Sequence, residues 1–145
     1  EHIAMCQTYS TAFIPWSPLA AGGLTGKYTR NAQQASGTRF GDETDPVKLK
    51  RFSGGVMDIV DGLVPLAESH NATVAQIALA WVAAQPGVTA PIAGPRTLDQ
   101  FKDNLGALNV ELTTEDLDKI DDLAAPGTNV AEYYEASFES NAHRF

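Results

Sequence analysis

The chain is predicted to be an α/β protein whose short parallel strands are joined by helical crossovers. Three observations lead there. Two apolar runs, "TAFIPW" (Thr11–Trp16) and "VTAPIAG" (Val88–Gly94), are rich in β-branched and aromatic residues or bounded by turn residues, as short buried strands are. Helical patterns separate them and follow the second. Alternation in that order implies parallel strands and right-handed crossovers. Two strands alone leave both sheet edges open, so such a sheet is not a self-sufficient domain.

Each element has its own signal. Ser17–Pro18 ends the first strand. Residues 29–55 are polar and glycine-rich and read as a long loop, a type that is functional or mobile in most compact domains. Met57–Ser69 reads as a helix in which Pro65 marks a kink or a later start. Thr73 and Gln76 fit a capping box, and Val74, Ile77, Ala78, Trp81 and Val82 share one helical face. Pro86–Gly87 stops that helix. "TLDQFKDNLGAL" follows with Thr97 as N-cap and Leu98, Phe101, Leu105 and Leu108 expected inward. In "LTTEDLDKIDDLA" Thr113 caps, Asp116 sits at the third position, and Leu112 can staple to Leu117. From Pro126 the chain is polar, dotted with aromatics, and read as irregular.

Bulk properties bound the function. The 145 residues, 43% hydrophobic and 19% charged, describe an ordinary globular chain with room for one core. A formal net charge of -8 argues against non-specific binding to nucleic acid or anionic membranes, yet leaves room for a local basic site. No apolar run approaches the roughly 20 residues of a membrane span. A lone Cys6 excludes an internal disulfide and a Cys-rich metal site, and fits a reduced, cytoplasmic setting. No Ser–His–Asp arrangement and no metal-ligand spacing is present. His70, in "ESHNAT", reads as a solvated residue at a helix end.

In a parallel α/β sheet, ligands gather at the carboxyl ends of strands, and both informative motifs lie there. Trp16 offers a flat face for stacking and Ser17 a hydroxyl for ribose or phosphate. Gly94 allows close approach of an anion to a helix start, and Arg96 could add a bidentate phosphate contact. Each feature has a plainer reading. Trp16 could fill a core, Ser17–Pro18 could be only a turn, Arg96 a solvated charge, and Gln100 the partner of Thr97 in a capping box. Their conjunction at two strand exits raises the binding reading.

"WSPLAAGGLTGKY" followed by "GPRTLDQFKDNLGAL" resembles the C-terminal part of the aldo-keto reductases, NADP(H)-dependent (β/α)8 barrels, over about Met5 to Leu123. The Trp-Ser-Pro-Leu form is most similar to the branch that holds bacterial aldo-keto reductases and potassium-channel β-subunits. The resemblance implies a partial TIM barrel: the last two βα units plus C-terminal helices, with 1–125 as the barrel part of a single domain and 126–145 as a tail. Trp16 would stack on the nicotinamide. Ser17, Pro18, Leu19 and Ala20 would line the pyrophosphate, with the loop carrying Gly22 and Lys27 folding over it. Gly94 and Arg96 would meet the adenosine 2′-phosphate, Arg39 would be a second phosphate contact, and Gln100, Asp103 and Asn104 would lie along the adenosine.

The family reduces carbonyls with a Tyr proton donor tuned by Lys and Asp and a substrate-orienting His; none of the motifs that carry them occurs here. The resemblance thus implies an aldehyde or ketone reductase that uses NADPH, this chain supplying the cofactor half and inactive by itself. The remaining barrel segment or a second chain would be its partner. Tyr133, Tyr134 and Phe138 would reach the substrate mouth, or else be surface aromatics. Two other outcomes stay open: an NADP-binding regulatory or interaction module like the channel β-subunits, and a cofactor-free remnant.

Overall fold

The computed structural model describes residues 2–28, 30, 34–44, 49, 52 and 54–131. Five α-helices organise them: α1 (His2–Thr8), α2 (Gly54–Ser69), α3 (Val74–Ala84), α4 (Leu98–Leu105) and α5 (Thr114–Leu123). Two 3-10 turns, Ala20–Thr25 and Gly106–Asn109, complete the order. None of these helices is long and apolar enough to cross a membrane. The expected tail aromatics Tyr133, Tyr134 and Phe138 lie outside the described residues.

The two expected strands are present as extended segments joined by one isolated parallel bridge, Trp16 to Ile92, rather than as a ladder. Thr89 N donates to Phe13 O at 2.8 Å and Ile92 N to Pro15 O at 2.8 Å. Both segments therefore run the same way, and their carboxyl ends lie together. The expectation that they are buried is corrected. Ile14, Trp16 and Ile92 are all at least half exposed, because no helix of the described residues covers their outer faces.

The core lies among helices. Leu63, Leu66 and Ala67 of α2, Val74 and Ile77 of α3, and Ile120 of α5 form one buried cluster, with Trp81, Val110 and Leu112 packed against it. Helix α3 is central: Val74, Ala75, Ile77, Ala78, Leu79 and Ala80 are all buried, more than the single face its periodicity suggests. Small alanines let neighbours approach from several sides. Helix α2 starts three residues before the expected Met57 and continues past Pro65; Leu63, Leu66 and Ala67 hold it to the core on either side of the proline.

Both capping boxes are formed. Gln76 N donates to Thr73 Oγ1 and Thr73 N to Gln76 Oε1; Asp116 N donates to Thr113 Oγ1 and Thr113 N to Asp116 Oδ2. Thr97 caps α4 through Gln100 N. Helix α4 tightens into a 3-10 turn after Leu105, and its apolar face is not inward: Leu98, Phe101, Leu105 and Leu108 are exposed. Among the described residues, α3 and the following 3-10 turn pack against this helix, and the stripe that reads as core stays open to solvent. His70 is also corrected. Its Nε2 lies 3.0 Å from Asp116 Oδ2, with only 20% of the side chain exposed.

Helix α1, to which the sequence reading assigned no element, packs by Ile3 and Gln7 on Gly87. The positive φ of 86° at Gly87 and this close contact both favour glycine there.

Candidate functional site

The parallel bridge brings the two strand exits side by side, so Trp16–Ala20 and Gly94–Thr97 line one end of the molecule. Trp16 is 71% exposed, leaving its ring face open. The chain then turns sharply. Ser17, Ala20 and Ala21 take left-handed φ values of 60°, 48° and 58°, followed by Gly22 at 101° and Gly26 at 72°. Left-handed backbone at non-glycine residues is costly and concentrates at functional turns. Here it is held by local hydrogen bonds: Ala20 N to Ser17 O, Gly22 N to Leu19 O, and Ala21 N to Ser17 Oγ at 3.2 Å. Because the Ser17 oxygen accepts that bond, its hydroxyl proton remains for a ligand oxygen.

The loop rests on the helical core. A Cβ at Gly23 would meet Val56 of α2 at 3.2 Å, and one at Gly26 would meet Val74 of α3 at 3.6 Å. Lys27 returns over the loop, its Nζ 3.4 Å from where a Gly22 Cβ would stand. Tyr28 beneath it is buried with Phe40 and Met57. This aromatic seat was not singled out in the sequence. Its signal was present in the spacing of Tyr28, Phe40 and Phe52 across an otherwise polar loop.

At the second exit, a Cβ at Gly94 would meet nothing within 4 Å, so the backbone there is approachable from outside. Arg96 is exposed, and its Nη2 donates to Gly37 O at 3.3 Å. That contact ties the loop bearing Arg39 to the second exit. Residues 34–44 are folded on themselves: Asp42 accepts from Ser36 Oγ at 3.0 Å and Gly37 N at 2.8 Å, and Thr38 Oγ1 donates to Ala35 O. Arg39 is exposed on this loop. Gln100 Oε1 accepts from Arg96 N at 2.8 Å, one residue earlier than a capping box would have it. Its amide nitrogen is what it can offer a ligand.

Asp103 and Asn104 sit one turn further along α4. The Asp103 carboxylate takes Gln76 Nε2 at 2.9 Å and lies 3.3 Å from Thr73 Oγ1. It braces α4 against the start of α3. Asn104 is partly exposed beside it.

Lys27, Arg39 and Arg96 are cations that the described segments bring to this end, in a chain of net charge -8. Arg30 is not among them, since Asp58 Oδ1 at 2.7 Å and Asp61 Oδ2 at 2.8 Å hold its guanidinium on α2. The hydrogen bonds it donates to the Asp61 and Asp58 carboxylates raise its pKa. Among the described residues no group of three His, Cys, Asp or Glu side chains could hold a metal ion. An open indole, a hydroxyl, an approachable glycine and three cations around two strand exits fit a phosphorylated ligand with a flat ring.

The chain belongs to the aldo/keto reductase family, whose model matches residues 1–125. Among curated proteins it is 36% identical over 124 residues to the "Probable voltage-gated potassium channel subunit beta" of Oryza sativa subsp. japonica, covering 83% of this chain and 38% of that protein. It is 34% identical over 122 residues to the "Uncharacterized oxidoreductase YrpG" of Bacillus subtilis (strain 168), 83% of this chain and 35% of the relative. It is 32% identical over 121 residues to the "Probable aldo-keto reductase 1" of Glycine max, 83% and 34%. The chain thus spans little more than a third of the length of these relatives. A (β/α)8 barrel is the architecture that membership implies. The described residues, mostly helical and with one isolated bridge, contain no complete strand ladder of it.

Proposed function

We propose that this chain supplies the NADP(H)-binding half of an oxidoreductase that reduces aldehydes or ketones to alcohols. Residues 1–125 would form the last two βα units of the barrel with its closing helices, and 126–145 a tail. The observation that carries the reading is the parallel pairing of Phe13–Trp16 with Thr89–Ile92. It sets Trp16–Ala20 beside Gly94–Arg96, at the sheet end where α/β proteins hold their ligands. Oxidoreductase chemistry is further supported by family membership and by the name of the Bacillus relative.

In this reading Trp16 takes the nicotinamide on its open face, Ser17 to Ala20 and Gly22 lie along the diphosphate, and Lys27 neutralises it. Gly94, Arg96 and Arg39 gather around the adenosine phosphate, while Gln100 and Asn104 flank the adenosine. Asp103 acts through Gln76 by holding α4 in place. When bound, the cofactor supplies hydride to a carbonyl carbon. The Tyr, Lys, Asp and His that complete reduction would come from the remainder of the barrel, covalently joined or as a second chain, and the setting would be the cytoplasm.

The test is cofactor preference. Arg96→Ala is expected to weaken NADPH binding by about tenfold or more, as loss of a charge-assisted phosphate contact does, and NADH far less. Equal losses for both cofactors, measured by fluorescence titration, would remove Arg96 from the 2′-phosphate and the preference for NADP with it.

The name of the Oryza relative, a channel subunit, supports a second reading, in which this chain belongs to an NADP-binding module that regulates a partner without turnover. A stable complex with another protein that responds to NADPH, without carbonyl reduction by the complete assembly, would select it over the enzyme.

A further inference from the structure

We propose that Tyr28 is a positioning residue whose ring seats the Lys27 ammonium at the mouth of the glycine loop, where a cofactor phosphate oxygen would lie. The proposal rests on the cofactor reading above. Tyr28 is 4% exposed. Its ring meets Phe40 edge-on at 5.1 Å and 64°, and Phe52 at 4.9 Å and 62°, while Phe40 and Phe52 stack at 5.2 Å. Ala21 of the loop packs on the same cluster. A ring wedged this way keeps one orientation.

Lys27 Nζ lies 4.9 Å from the centroid of that ring, within cation–π range. The same ammonium and the Tyr28 hydroxyl converge on one point, 3.4 Å and 3.8 Å from where a Gly22 Cβ would be. An exposed lysine ordinarily loses much rotamer freedom on gripping a ligand; one already held over a fixed ring loses less. The glycine keeps the space into which the ammonium leans.

The hydroxyl has no hydrogen-bond partner among the described residues. The ring therefore does the seating, and phenylalanine should do it equally well. Removing a buried hydroxyl that bonds nothing does not destabilise a core. Leucine should fail, because it offers no π-face.

Two measurements test this. In the first, NMR of the chain should show the Lys27 side-chain methylenes shifted upfield by the Tyr28 ring current. The shift should persist in Tyr28→Phe and vanish in Tyr28→Leu. In the second, NADPH binding should be unchanged in Tyr28→Phe and about two- to fivefold weaker in Tyr28→Leu. Lys27→Met should lose about tenfold, and adding Tyr28→Leu to it should cost nothing more.

A Tyr28→Leu loss that persists beside Lys27→Met would show a merely structural role and overturn the proposal; so would a matching loss in Tyr28→Phe. Should Tyr28→Leu fail to fold, unshifted Lys27 methylenes in the wild-type chain would overturn the seat by themselves. Absence of NADPH binding by the complete wild-type protein would sink the cofactor reading and the purpose assigned to Tyr28. The methylene shift separates that failure from failure of the seat.

Discussion

Asp116 shows how a residue chosen for one local task acquires another in three dimensions. From the sequence it is the third residue of a capping box. In the fold its Oδ2 also receives the Thr113 hydroxyl at 2.7 Å and lies 3.0 Å from His70 Nε2, at the edge of the main core. The hydrogen bonds from the Thr113 side chain and backbone hold its pKa below the ordinary carboxylate value, with His70 adding to them. A carboxyl depressed in the folded state contributes stability above its unfolded pKa, near 3.9. That contribution is lost as pH falls through the folded value. Thr113→Ala is expected to cost about 1 kcal/mol at neutral pH by loss of the cap. Urea denaturation followed by circular dichroism should show the difference from wild type narrowing below about pH 4. A constant difference across that window would mean that Asp116 is not titrating with folding.

At the scale of elements, the position of α4 matters most, because it carries Gln100 and Asn104 to the candidate site. Its register on α3 depends on Gln76, whose Nε2 donates to Asp103 O at 2.8 Å and to its carboxylate. Gly106 leaves the room for that amide: a Cβ there would collide with the Gln76 side chain. Its φ of -58° is ordinary helix, so the conflict is one of space rather than of backbone strain. Gly106→Ala should therefore expel the Gln76 amide and destabilise the chain by about 1 kcal/mol, the usual scale of a lost hydrogen bond, despite alanine's better helix propensity. An increase in the melting temperature would show that Gln76 moves aside without penalty. The capping boxes and helix stops were legible because they are local contracts between residues three or four apart. The Gln76–Asp103 brace was not, since nothing in the spacing of those two residues announces it.

The whole molecule carries an apolar surface unusual for a free-standing domain. Trp16, Ile14 and Ile92 at the bridged segments, and Leu98, Phe101, Leu105 and Leu108 along α4, are all exposed. Patches of this kind mark interaction surfaces or drive association. The isolated 145 residues should therefore bind a hydrophobic dye and show concentration-dependent association in sedimentation, without carbonyl-dependent NADPH oxidation. A cooperative, monomeric unit with turnover would contradict the proposed half-site.

Helix periodicity, both capping boxes, the two extended segments and the family itself are determined by the sequence, because each depends on neighbouring residues or on motifs with fixed spacing. Burial is different. The stripe Leu98–Leu108 has the pattern of a core face and is exposed, since a pattern states that a face can be covered and not whether something covers it. Tertiary structure alone decided that Arg96 reaches Gly37, that His70 faces Asp116, and that Lys27 lies over Tyr28. Except for the last pair, these contacts join residues far apart in the chain; even Lys27–Tyr28 takes its geometry from Phe40 and Phe52, brought in by the fold.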